Sequence, residues 1–105
     1  MATKNDVLVV LQCHIGAVNS ISGKELSRAV GTNMRQLRHL TDLLIDDGIA
    51  LCSHPSLGYY IAQTPEEIEH TCQFHHSRAL HELHKVARLR KIPLPDLLGQ
   101  LHLGT

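Results

Sequence analysis

The chain has 105 residues, 43% of them hydrophobic and 19% charged, with ten Lys and Arg, ten Asp and Glu, and nine histidines. That length fits one compact domain with an appended helix, since independent domains run about 100–150 residues, and the composition excludes a disordered polyelectrolyte. A formal net charge of zero excludes the global basic field common among nucleic-acid binders, although protonating the histidines below about pH 6.5 makes the chain cationic. With no Trp, one Phe and two Tyr, the core has to be built from Leu, Val and Ile. No apolar run approaches the ~18 residues that span a bilayer, and the start Met-Ala-Thr-Lys-Asn-Asp lacks a signal-peptide pattern, so no membrane partner and a cytoplasmic address are expected. Cys13, Cys52 and Cys72 are too few, and odd in number, for a disulfide framework and are expected to be reduced.

The first element spans Thr3 to Ile15. Val7, Leu8, Leu11 and Ile15 recur at helical spacing behind a Thr3 cap, with Gly16 as a stop, while Val-Leu-Val-Val is also compatible with a buried strand; helix is the preferred reading. Ser22-Gly23-Lys24-Glu25 has the form of a capping box and starts a helix that ends near Gly31, with Leu26 and Val30 inward and Arg28 outward. Asn33 and Gln36 repeat the cap logic, and Leu37, Leu40 and Leu44 follow at amphipathic spacing up to Asp46-Asp47-Gly48. The two aspartates there sit unfavourably at the negative end of a helix. Ile49 to Ser53, a turn at His54-Pro55-Ser56, and Leu57 to Ala62 predict a hairpin. Thr64-Pro65-Glu66-Glu67 then opens a long helix running to about Lys91, roughly 40 Å by helical rise, before Ile92-Pro93-Leu94-Pro95 interrupts it. Asp96 to Leu101 predicts one or two further turns.

Two short helices joined by a tight turn, the second leading into a hairpin, form the order of a winged helix-turn-helix. The fold class expected is therefore mainly α with a small β-hairpin, divided into a winged helix-turn-helix domain at 1–63 and a C-terminal helical extension at 64–105. The block Ser22 to Gly48 resembles the biotin-repressor-like branch of these families. Gly23-Lys24-Glu25-Leu26-Ser27-Arg28-Ala29-Val30-Gly31 stands where the first helix of the pair reads, and Asn33 replaces the usual serine or threonine cap. Leu37 and Leu44 match buried positions, and Asp47-Gly48-Ile49 resembles the exit into the wing. The likeness covers roughly residues 5 to 63. Gly58-Tyr59-Tyr60-Ile61-Ala62, Thr64-Pro65-Glu66-Glu67-Ile68 and Ser77-Arg78 resemble small phage- or prophage-associated winged-helix proteins with a long C-terminal helix.

What the resemblance implies is binding to double-stranded DNA in transcription regulation, with a recognition helix at about 33–47 in the major groove and a wing at 49–62. The residues agree: Asn33, Arg35, Gln36, Arg38 and His39 are donors able to reach base edges and phosphates, and no acid occurs between Leu26 and Thr41. Arg35 or Arg38 suits a guanine, Asn33 or Gln36 an adenine, and Lys24, Arg28, His54 and Ser56 suit phosphates. The plainer alternative is a solvated helix face, because fold alone does not prove function.

On the long helix, Ile68, Cys72, Ala79, Leu80, Leu83, Val86 and Ala87 form an apolar stripe longer than one small domain covers. A second copy is the simplest cover, giving a homodimer, and folding back onto the chain's own domain is the alternative. Arg88-Leu89-Arg90-Lys91 is a small basic cluster that suits either phosphate contact or a solvated helix end.

Cys52-x-His54 and Cys72-x-x-x-His76 offer four soft ligands without knuckle spacing at both ends, so no metal or other cofactor is expected. Neither a nucleophile elbow nor a glycine-rich phosphate loop occurs, and an enzyme is not expected. The rival function is a winged-helix adaptor or inhibitor that binds protein, favoured by the neutral total charge and by Asp42, Asp46 and Asp47.

Overall fold

The computed structural model describes residues 1–102. Its elements are α1 (Lys4–Leu11), α2 (Gly23–Val30), α3 (Met34–Asp46), β1 (Leu51–His54), β2 (Gly58–Ile61), α4 (Pro65–Arg90) and α5 (Leu94–Gln100), with a short 3-10 turn at Ala17–Asn19. The chain is thus mainly helical with one two-stranded antiparallel sheet. It divides into a unit Met1–Thr71 and a second unit beginning at Cys72, so the first two turns of α4 group with the first unit.

The complete capping box is at Thr3, where Oγ1 accepts from Asp6 N–H at 3.3 Å and the Asp6 carboxylate accepts from Thr3 N–H at 2.9 Å. Val7 and Leu11 are buried, but α1 stops at Leu11 and does not continue to Ile15. The physical reason lies in β2: Ile61 N–H donates to His14 O and Gly16 N–H donates to Ile61 O, at 2.9 and 2.8 Å, so the backbone around Ile15 is held in a strand-like bridge. Ser22 caps α2 by accepting from Glu25 N–H at 3.1 Å, while the expected return bond from Glu25 is absent among the described residues. Asn33 Oδ1 caps α3 from Gln36 N–H at 2.8 Å, and Gly48, at φ +90°, ends it. Asp47 has a specific partner: its carboxylate lies 2.6 Å from Lys4 Nζ at the start of α1, which offsets the unfavourable dipole position.

Leu26, Leu37, Leu40, Leu44 and Leu51 pack with Val7, Leu11 and Ile21 in one aliphatic core. Each fully buried leucine contributes roughly 1.5–3 kcal/mol. The hairpin pairs Leu51 with Ile61 and His54 with Gly58, and side-chain alternation gives it two faces. Leu51, Tyr59 and Ile61 face the core. Cys52, His54 and Tyr60 face the start of α4: Cys52 Sγ approaches Glu67 O at 3.7 Å, and the His54 and His70 rings stack at 5.7 Å. Burial raises the pKa of Tyr60 above the ordinary tyrosine value, with the neighbouring Thr71 hydroxyl opposing the shift. That hydroxyl faces Tyr60 without forming a hydrogen bond of good geometry.

The opening of α4 also closes a long-range clip. Glu67 N–H donates to Thr64 Oγ1 at 3.3 Å, as a local cap would, but the Glu67 carboxylate accepts from Gln63 N–H and from Ala17 N–H, both at 2.7 Å. In the second unit, α5 begins at Leu94, two residues earlier than expected, with Pro95 in its first turn, and Ala87 and Leu97 are buried. Lys91, at φ +57°, ends α4. No helix among the described residues is long and apolar enough to cross a membrane.

Candidate nucleic-acid interface

The inward side of α3 is set by Leu37, Leu40, Thr41 and Leu44, and helical geometry therefore turns Arg35, Arg38 and His39 outward, where all three are exposed. Asn33 stands exposed at the cap with its carbonyl oxygen engaged by Gln36 N–H, leaving its amide group outward, and Gln36 is half-buried at the edge. Cationic side chains thus occupy the first turns of α3, at the end where unsatisfied N–H groups already favour anions. The last turns differ: Asp42 and Asp46 are exposed on the same outward side.

Lys24 and Arg28 lie one turn apart on the exposed face of α2. The starts of α2 and α3 meet through Met34, whose side chain lies over Gly23; a Cβ at Gly23 would come within 2.7 Å of Met34 Cε and 3.2 Å of the Tyr59 ring. Tyr59 is half-buried in the same place, and burial raises its pKa, with Arg38 opposing and Asp42 reinforcing that shift. One strand of the hairpin therefore stands beside the outward arginine of α3. Neither Met34 nor Tyr59 was marked by the polar pattern of the sequence. The one available signal was Gly23 itself, a glycine at a first helical position that nothing local requires.

The turn of the hairpin is less available than its composition implied. His54 Nδ1 accepts from Ser56 N–H at 3.2 Å and lies 2.7 Å from Ser56 Oγ, while the His54 ring stacks on His70. His54 and Ser56 are therefore engaged with each other and with α4, and an arriving phosphate would have to compete with those contacts. The structure places Asn33, Arg35, Gln36, Arg38 and His39 along α3 and Lys24 and Arg28 on the exposed face of the adjoining α2; it does not bring His54 and Ser56 into the set as open donors.

Along α4, Ile68, Cys72 and Ala79 are exposed, Leu80, Leu83 and Val86 are half-buried, and Ala87 is buried. Ala87 is thus the one member of the expected dimerisation stripe that the chain itself already buries. A shallow groove of about 430 Å³ between α1 and α2 is lined by Val9, Val10, Ala29 and Val30, with Asp6 as its sole charged side chain. Asp6 is already committed to the Thr3 cap, so the groove offers no converging reactive groups. Among the described residues no three His, Cys, Asp or Glu side chains converge as metal ligands.

No family model, no curated protein and no solved structure matches the chain.

Proposed function

We propose that this chain is a winged helix-turn-helix protein that binds double-stranded DNA sequence-specifically as a homodimer, in transcription regulation, with the first half of α3 in the major groove. One observation carries the reading. Arg35, Arg38 and His39 are exposed opposite the buried Leu37, Leu40 and Leu44, and no acid interrupts the chain from Leu26 to Thr41. The order of three helices and a hairpin, with Ile21 bridged to Tyr59 as a rudimentary third strand, supports the winged-helix assignment. Arg35 and Arg38 are the candidates for bidentate contact with guanine, Asn33 and Gln36 for adenine, and Lys24 and Arg28 for phosphates.

Fluorescence anisotropy against duplex from the gene's own upstream region and a scrambled control, at about 50 and about 200 mM salt, tests this reading through counterion release. Native duplex is bound more tightly and with steep salt dependence, and Arg35→Ala or Arg38→Ala weakens specific binding by about 1–3 kcal/mol. Unchanged affinity in both variants refutes the assignment. Asp42 and Asp46 on the same outward side favour a second reading, a protein-binding adaptor. Absence of duplex binding at both salt concentrations selects it.

A further inference from the structure

The last turns of α3 and the end of α4 carry opposite charges around exposed aliphatic side chains. On α3, Ile45 is 45% exposed and adjoins Asp42 and Asp46, which lie one helical turn apart. Asp47 is matched by Lys4, but neither Asp42 nor Asp46 forms an ion pair among the described residues. At the end of α4, Leu89 is 84% exposed between Arg88 and Arg90, with Lys91 next in the chain. These three cations likewise form no ion pair among the described residues.

Each patch leaves a large aliphatic group in water, and the acids of the α3 patch lie toward the negative end of their helix, where a cation is favoured. Bringing a patch of each kind together removes both aliphatic groups from water, while the opposed charges decide which surfaces meet. Both patches belong to every copy of the chain, so reciprocal exchange satisfies all four patches of a pair and closes the assembly about a twofold axis.

We propose that two copies of this chain associate by seating Arg88, Leu89, Arg90 and Lys91 of one copy on Asp42, Ile45 and Asp46 of the other, reciprocally. The contact uses other residues than the long stripe that the sequence suggested, whose Ala87 is buried. It also bears on DNA binding, in the one respect that rests on the function proposed above. Asp42 and Asp46 share the outward side of α3 with Arg35 and His39, and covering them with cations removes their repulsion of phosphate from a helix placed in the groove.

The test uses the full chain without DNA, so its outcome is independent of duplex binding. Sedimentation velocity at about 50 mM salt gives the mass of two chains, and the association constant falls roughly tenfold or more by about 500 mM as the charges are screened. Arg88→Glu with Arg90→Glu, and separately Asp42→Arg with Asp46→Arg, each give the mass of one chain. Combining all four restores the mass of two. Leu89→Ser, at an exposed position that folding does not need, weakens association without changing the helical circular dichroism. A wild-type chain that sediments as one copy at about 50 mM salt, where screening is weak, overturns the proposal. Undiminished association in Leu89→Ser does so too, as does failure of the combined variant to pair while its circular dichroism matches wild type.

Discussion

Replacing Gly58 with alanine isolates the contact that joins the hairpin to the start of α2. Gly58 has φ +93°, and an alanine Cβ would overlap the Ile21 carbonyl oxygen and come within 2.8 Å of the carbonyl carbon and 2.9 Å of Ser22 Cα. The left-handed conformation alone costs a residue with a Cβ about 1–2 kcal/mol. The overlapping atoms are backbone, so no flexible side chain can yield, and relief requires the Ile21–Ser22 segment to retreat from β2. That retreat weakens the reciprocal hydrogen bonds between Ile21 and Tyr59, at 2.9 and 2.7 Å. At about 0.5–1.5 kcal/mol each, their loss brings the total cost to roughly 2–5 kcal/mol. A domain of this size has about 5–15 kcal/mol of stability in all, so the effect is large. Gly48→Ala is the matched control: its φ is +90°, but nothing lies within 4 Å of the added Cβ, and only the conformational cost applies. Urea unfolding followed by circular dichroism reads both variants. Equal destabilisation by the two substitutions refutes the claim that the Ile21 backbone, rather than conformation alone, requires glycine at 58.

Two further outcomes concern the ends of α4. The Glu67 carboxyl is held below the ordinary value of 4.5, first by the Ala17 N–H and then by the Gln63 N–H, with burial opposing the shift and the Thr64 backbone N–H adding a smaller lowering. A lowered folded-state pKa means that the contribution is fully present above about pH 4.5 and disappears as pH falls through the folded value. Glu67→Gln, which offers one acceptor where two N–H groups need two, therefore lowers the melting temperature at neutral pH, and its difference from wild type shrinks below pH 4.5; a difference independent of pH contradicts the clip. Lys91 ends α4 at φ +57°, where Ile92 N–H reaches Ala87 O at 3.0 Å. Lys91→Gly relieves left-handed strain of about 1–2 kcal/mol against an entropic cost of glycine of about 0.5–1 kcal/mol, a net stabilisation of up to about 1.5 kcal/mol, seen as a rise in melting temperature read in high salt so that surface charge is screened; a fall contradicts the reading.

Features confined to one helical turn were legible in advance. Ser22 and Asn33 accept from the N–H three residues on, as their side-chain chemistry requires, and Gly48 stops α3 where the leucine periodicity ends. The same periodicity separates buried Leu37, Leu40 and Leu44 from exposed Arg35, Arg38 and His39, so the outward face of α3 could be listed residue by residue. The hairpin turn was legible only in part. His54 and Ser56 have the right polarity for phosphate, but the presence of His70 beside that turn depends on where α4 packs.

The sequence by itself determined the number and order of the helices, their caps, the hairpin and the charged first half of α3, because each follows from hydrogen bonds and periodicity spanning a few residues. Only the tertiary structure decided where α1 ends, because the groups that hold Ile15 out of a helix belong to Ile61, far along the chain. It also decided that the Glu67 carboxylate reaches Ala17, that Lys4 answers the aspartate at the end of α3, and that the second face of the hairpin is covered by α4. Spacing along a chain reports which side chains share a face; which distant backbone or charge meets that face is set by packing.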